Sequence, residues 1–430
     1  MKKVLIIGAG GRGLTYSRHM AALKEDFQIV GVAEPDERRR TYMQEKYEIP
    51  AQMCHPSWED FLSCPKFADL VVIATMDRDH FAPAMAAIEK GYDLLLEKPM
   101  GATPEECIAI ARAAKEQGVF VLVCHVLRFS PYFRALKNLV DSGRVGRIIH
   151  IHADECVGNL HQSHSFVRGN WGNSDRSTPM IVQKTCHDMD MLQWLIGKDC
   201  TRVHSFGELT YFKKENAPEG ATERCVDGCP HADTCYYNAA KLYHGQTEGF
   251  SSSFIRSATG TPLAPDSDTV DRMLQESNFG RCVYRCDNNV VDHQSVNLEF
   301  AGGETVSFCM SAFNKGGRHI HIMGTDGTIT GTSSDDFVTL YSFKTRTYET
   351  VNIRDAISDD SIDSGHGGGD SGIICALRDR LNGKTENVAI CTIDRTCHNH
   401  LIAYAAEESR LTGKVIDMKE FEDQASRSIS

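Results

Sequence analysis

KKVLIIGAGGRGLTYSRHMAAL, residues 2–23, passes from a short apolar strand through a glycine turn into a helix. Gly8, Gly10 and Gly13 fill the spacing G-x-G-x-x-G, with Gly11 and Arg12 between the last two. In such a turn the first glycine permits the tight bend and the second admits a pyrophosphate to the backbone. The third lets helix and strand pack closely, and the helix N-terminus offers free amides and a favourable dipole to the anion. Alone the motif is weak. It gains weight from FQIVGVAEPD (27–36), a second apolar strand that ends in Glu34, 21 residues beyond Gly13. An acid there suits the adenosine ribose hydroxyls. A carboxylate would also repel a 2′-phosphate, which favours NAD over NADP. Arg38, Arg39 and Arg40 follow at once and could either bind such a phosphate or form a solvated helix face.

The pattern repeats outward. ADLVVIATMDRDH (68–80), GYDLLLEKPM (91–100) and VFVLVCHVLRF (119–129) are further apolar strands alternating with helical segments. Strands this apolar imply a parallel sheet covered on both faces, with ligands at the carboxyl ends of its strands. Thr75, Asp77, His80, Glu97, Lys98 and His125 fall at that edge.

A chain of 430 residues exceeds what one core comfortably fills, so two domains are expected. The net charge of −12 argues against a nucleic-acid partner. In MKKVLIIG the apolar run is too short for a signal peptide, and no stretch is long enough for a membrane helix, so a cytoplasmic protein is expected. Most of the 16 cysteines stand singly in apolar stretches, as Cys124 and Cys375 do, and read as small core residues.

Taken together, GAGGRG, VVIAT followed by His80, EKPM, LRFSPYF, VGRIIHIHADE and KTCHDMDMLQWLIG resemble the glucose–fructose oxidoreductase/inositol dehydrogenase (Gfo/Idh/MocA) family along nearly the whole chain. The resemblance implies a Rossmann domain over 1–126. It also implies a C-terminal α+β domain over 127–430, built on a large, mainly antiparallel open sheet through which members dimerise or form tetramers. The implied activity is hydride transfer between NAD(P) and a secondary hydroxyl of a sugar, glycoside or cyclitol. Lys98 matches the lysine beside the nicotinamide and the reacting hydroxyl, where it can stabilise a developing alkoxide. His187 matches the catalytic histidine that takes the alcohol proton.

One departure matters. Many members carry an aspartate four residues before this histidine, where this chain has Gln183, with Lys184 beside it. Gln183 cannot relay a proton, and Lys184 takes part of that role or holds substrate hydroxyls.

HQSHSFVRGNWGN (161–173) offers His164, Arg168, Asn170 and Trp171 as sugar contacts, and Arg128 joins them. SGHGGGDSGII (364–374) resembles a loop of NAD-dependent glycosidases and glycoside-oxidising relatives, which would turn His366 towards the sugar; Asp370 could be the cap of the next helix. Two other classes therefore stay open: glycoside cleavage through transient oxidation and elimination, and a non-catalytic NAD-binding regulator. VNLEFAGGETVSFCMSAF (296–313) reads as a hairpin.

ERCVDGCPHADTC (223–235) bunches Cys225, Cys229 and Cys235, and Cys282 and Cys286 follow about fifty residues on. The spacing suits a structural zinc on Cys225, Cys229, Cys235 and Cys282, with Cys286 or, more weakly, His231 as alternatives. Packed thiols without metal, or an iron–sulfur cluster, are the competing readings. The region 215–287 reads as a polar, turn-rich insertion with little core of its own.

Overall fold

The computed structural model describes residues 1–353, 366–384 and 389–429. Six strands build the first sheet: β1 Lys2–Ile7, β2 Phe27–Ala33, β3 Cys54–His55, β4 Leu70–Ile73, β5 Asp93–Leu96 and β6 Val121–Val123. They run parallel in the order β3-β2-β1-β4-β5-β6. Every residue of β4 is buried, as a strand with helices on both faces requires. The strand order reverses between β1 and β4, where sheets of this kind open a ligand crevice.

The helices carry their boundaries in the sequence. Pro104–Gln117 begins behind Thr103, whose hydroxyl accepts from the Glu106 amide, and it stops at Gly118 with φ +66°. Its Cys107, Ile110, Ala111 and Ala114 share one face and are buried.

The second sheet has nine strands, in the order β14-β13-β12-β11-β7-β10-β9-β8-β15. They are β7 Ile148–Cys156, β8 Cys200–Glu208, β9 His293–Phe300, β10 Thr305–Ser311, β11 Gly317–Gly324, β12 Gly327–Thr332, β13 Phe337–Ser342, β14 Thr347–Asn352 and β15 Ile416–Asp417. The expected hairpin is β9–β10, antiparallel from His293↔Ser311 to Glu299↔Thr305. Among its described strands only β7 and β10 run parallel. Burial alternates along β9 and β10, so Val296, Leu298, Phe300, Val306, Phe308 and Met310 face the core. The helices Cys186–Ile196 and Ile393–Thr412 cover this side. The opposite side carries His150, His152, His204 and His321.

Ile393–Thr412 also fastens the two sheets together. His400 Nε2 accepts from the Met100 amide at 3.1 Å, and the Tyr404 hydroxyl donates to the Gly101 carbonyl at 2.8 Å.

The region expected to have little core of its own takes part in two small ones. Leu242, Tyr243, Val270, Met273 and Leu274 form one, and Phe212, Tyr237, Val283 and Tyr284 belong to the other with Val167 and Ala312. The polar stretch 251–268 starts two helices, Ser252–Thr259 and Ser267–Glu276, capped by Ser251 and Asp266. Composition hid their narrow apolar faces, which recur at helical spacing.

Candidate active site

The glycine turn explains itself atom by atom. A Cβ on Gly8 would lie 2.5 Å from the Ala74 carbonyl oxygen, and one on Gly13 would lie 2.0 Å from that of Gly8. Gly8 and Gly13 are therefore demanded by packing. Beside Gly11 nothing lies within 4 Å, and the nearest atom to a Cβ on Gly10 is Arg39 Nη1 at 3.9 Å. Gly10 caps the helix Gly11–Ala22 without a side-chain bond, leaving the turn bare at the point where a pyrophosphate would approach. Glu34 is buried, and its carboxylate accepts from the amides of Ala9 at 2.6 Å and Asp36 at 3.0 Å. The residues present fit a dinucleotide. Of the arginine run, Arg38 pairs with Asp36, Arg39 donates to the Gly260 carbonyl at 3.2 Å, and Arg40 donates to Glu34 and Pro35 carbonyls.

Three residues expected at the cofactor instead brace the strand ends. The Thr75 hydroxyl donates to the Asp79 carbonyl. His80 is buried between the carbonyls of Pro99, 2.7 Å from Nδ1, and Thr75, 3.2 Å from Nε2. Asp77 accepts from Trp171 Nε1 at 3.1 Å and from the Thr178 hydroxyl at 2.9 Å. The strand-end position was legible; the direction of these side chains was not.

At the end of β5, Glu97 is buried and accepts from Arg12 Nε at 2.7 Å, from the Tyr16 hydroxyl and from the Lys98 amide. Burial works against its charge, but Arg12 and Lys98 keep its carboxyl below the usual range. Arg12 thus turns away from the open side of the turn. Its other nitrogens reach Asp370, at 2.8 Å and 3.1 Å. Asp370 is not the cap of its helix, which is Gly368; it sits within Gly369–Leu381 and also meets His366 Nδ1 at 3.0 Å. Lys98 Nζ donates to the Gln183 carbonyl at 2.7 Å.

His187 enters from the helix Cys186–Ile196 and is buried, with its Nδ1 lacking a hydrogen-bond partner among the described residues. Its ring centroid lies 5.8 Å from that of His125 and 6.2 Å from that of His366. Burial first, then Lys98 and His125, holds His187 well below the ordinary histidine range, which favours the neutral imidazole. Behind it, Lys184 Nζ lies 3.3 Å from Glu155, and Arg318 bridges Glu155 and Asp188 at 2.7 Å each. Burial lowers the Lys184 pKa against the pull of Glu155.

Other expected contacts lie elsewhere. Arg128 is buried in a two-point pair with Asp190, at 2.6 Å and 2.8 Å, so it is structural rather than a sugar ligand. His164 bonds the Tyr243 hydroxyl at 2.8 Å and stacks on Phe254 and Phe279. Arg168 is fully buried and donates to the carbonyls of Arg281 and Tyr237, each at 2.7 Å. Both hold the insertion to the sheet domain, a role their sequence neighbours could not reveal because the partners are 69 to 115 positions away. Trp171 spends its indole N–H on Asp77, and Asn170 is exposed with its amide 3.9 Å from Met76 Sδ.

The expected zinc site is not formed. Among the described residues no group of three or more histidines, cysteines or acids is arranged to hold a metal ion, and all five cysteines of the region are free. Cys235, Cys282 and Cys286 instead pack against one small core of the insertion and Cys225 against the other, with Arg168 Nη2 3.8 Å from Cys225 Sγ. Burial pushes the Cys286 thiol up to about 11, so it stays protonated.

Residues that the sequence did not mark complete the site: Tyr16, Glu155, Asp188 and Arg318. Glu155 closes HIHADE at the end of β7, and Asp188 follows His187 directly in sequence.

Comparison with known proteins agrees with this architecture. Residues 2–125 match the model described as "Oxidoreductase family, NAD-binding Rossmann fold", and residues 137–418 match "Oxidoreductase family, C-terminal alpha/beta domain". The chain belongs to the Gfo/Idh/MocA oxidoreductase family, and it is an NAD(P)-dependent oxidoreductase. It is 24% identical to YteT of Bacillus subtilis (strain 168), which carries the name of an oxidoreductase, over 86% of this chain and 87% of that one. It is 26% identical to inositol 2-dehydrogenase 2 of Saccharopolyspora erythraea over 45% of this chain and 53% of that one. A levoglucosan dehydrogenase solved with NADH and L-sorbose shares the fold, with a TM-score of 0.68 at 18% identity over 97% and 98% of the two chains.

Proposed function

We propose that the enzyme oxidises a secondary hydroxyl of a sugar or cyclitol with NAD, His187 acting as the base and Lys98 polarising the oxygen. The observation that carries this reading is the anchoring of Lys98 Nζ on the Gln183 carbonyl, one turn before the helix that presents His187. It brings a cation from the Rossmann sheet to a neutral imidazole from the other domain. When bound, the nicotinamide supplies the acceptor for the hydrogen that leaves carbon with its electron pair. Gly10, Gly11 and the helix amides would hold its pyrophosphate, and Glu34 its adenosine ribose. His187 removes the hydroxyl proton, and the ammonium of Lys98 stabilises the oxygen as it becomes negative. In this reading Lys184, held by Glu155, and Arg318 bind neighbouring hydroxyls.

Relatives named as inositol 2-dehydrogenases and a levoglucosan dehydrogenase support the substrate class. The test is NADH formation with a panel of polyols and sugars beginning with myo-inositol and L-sorbose. Release of an aglycone from a glycoside without net NADH would overturn the reading. The same proposal places the enzyme in the cytoplasm, where cysteines outside disulfides stay reduced, as a homo-oligomer joined through the open face of the second sheet. Light scattering of the purified protein tests the assembly.

A further inference from the structure

The base proposed above must pass its proton on, and the chain lacks an acid at Gln183 to receive it. Four imidazoles lie in sequence through the site: His366, His187, His125 and His400, with successive ring centroids 6.2, 5.8 and 5.1 Å apart. The inner direction is closed. His125 is 1% exposed with neither ring nitrogen bonded among the described residues. Beyond it, His400 is saturated by the backbone: Nδ1–H donates to the Thr396 carbonyl and Nε2 accepts from the Met100 amide. A ring so held gains a proton only by breaking a bond.

The outer direction is open. The His366 side chain keeps 40% of its surface accessible, and its Nδ1 meets the Asp370 carboxylate at 3.0 Å. Asp370 is in turn fixed by Arg12 at two points. His366 also stands in the left-handed backbone region, at φ +55°, where residues other than glycine are uncommon, and Gly367 and Gly368 follow at +60° and +93°. Backbone strain of this kind gathers where a side chain must be aimed.

Resting on the assignment of His187 as base, we propose that His366, oriented by Asp370, is the relay that carries the hydroxyl proton from His187 to solvent. The balance is simple. The substrate O–H bond breaks as an N–H bond forms on His187. That proton passes to His366, which Asp370 orients through Nδ1, and leaves to water. The carbon-bound hydrogen departs with its electron pair to NAD, so no other oxidant is needed. The titratable groups that interact with His366 are Asp370, His187 and His161; Arg12 reaches it through Asp370, and Lys98 and Arg318 act on His187. His366 is thus a positioning and relay residue, acting through His187.

The test uses His366→Asn, because asparagine accepts left-handed backbone. In 15N-histidine-labelled protein saturated with NAD, exchange of the His187 ring N–H with water should slow by about tenfold or more, and added free imidazole should restore it. With myo-inositol and NAD, kcat should fall by about tenfold with KM within about twofold, again with rescue by imidazole. Unchanged exchange in the variant, or slowed exchange that imidazole does not restore, overturns the relay. If myo-inositol is not turned over, or if His187→Ala keeps normal turnover, the functional reading has failed, and the exchange measurement still decides the relay on its own.

Discussion

Arg12 and Asp370 stand 358 positions apart in the chain and 2.8 Å apart in space. The pair ties the glycine turn of the first sheet to the helix that follows the His366 loop, and Glu97 completes it from the end of β5. Because Asp370 is buried and Arg12 is one-third exposed, a double-mutant cycle on Arg12→Met and Asp370→Asn should give a coupling of about 1–3 kcal/mol in urea unfolding. A coupling near zero would make the contact incidental.

Glu34 closes the glycine turn from within while sitting where a ribose would bind. NAD should bind more tightly than NADP. Glu34→Ala should weaken NAD by about tenfold, a cost of about 1.4 kcal/mol, and narrow the preference. Titration of both nucleotides by NADH and NADPH fluorescence checks this; a clear NADP preference would assign the phosphate to Arg38–Arg40.

If Lys98 and His187 act at the reacting hydroxyl as proposed, Lys98→Ala and His187→Ala should each lower turnover by about 10²–10⁴ with NAD affinity nearly unchanged. Rapid-mixing measurement of NADH formation separates the two effects. Turnover that survives in His187→Ala would pass the base role to Lys184.

The first sheet was readable because its strands are buried on both faces and stopped by glycine or proline, signals that need only neighbours in sequence. Lys98 and His187 stand in motifs that are local, so the sequence alone could single them out. Arg128, His164 and Arg168 misled for the opposite reason: a polar residue in a promising loop says nothing about a partner such as Asp190, Tyr243 or the Arg281 carbonyl, which the fold alone brings near. The cysteine spacing failed likewise, since short spacing is necessary for a metal knuckle but does not aim the thiols.

Two buried histidines make stability depend on pH. Burial holds His164 and His400 near about 3, against about 6.5 in the unfolded chain. Above about pH 6.5 neither state carries the proton, and the contribution is whole. As pH falls below that value the unfolded chain binds protons that the native state refuses, so stability is lost down to about pH 3, by up to about 1.4 kcal/mol per pH unit for each histidine. The midpoint of urea unfolding should drop between pH 7 and pH 4, with a shallower slope in His164→Phe.

Asp190 holds Arg128 at two points and accepts a third bond from Asn399 at 2.6 Å. Asp190→Ala should therefore cost about 3–5 kcal/mol, because it strands a buried guanidinium. Thermal unfolding of the variant would show it; a loss under about 1 kcal/mol would mean that water reaches Arg128.

Strand β7 lies at the centre of the second sheet, with β10 on one side and β11 on the other. On a ribosome its His150 emerges 155 residues ahead of its partner Thr305 and 173 ahead of its partner Met323. Until those strands are made, a strand with a buried apolar face has neither partner, so closure of this sheet is a late, long-range event. Nascent chains released before Thr305 should expose β7 and require a chaperone, whereas those released after Thr412, with both neighbouring strands and the covering helix made, should not.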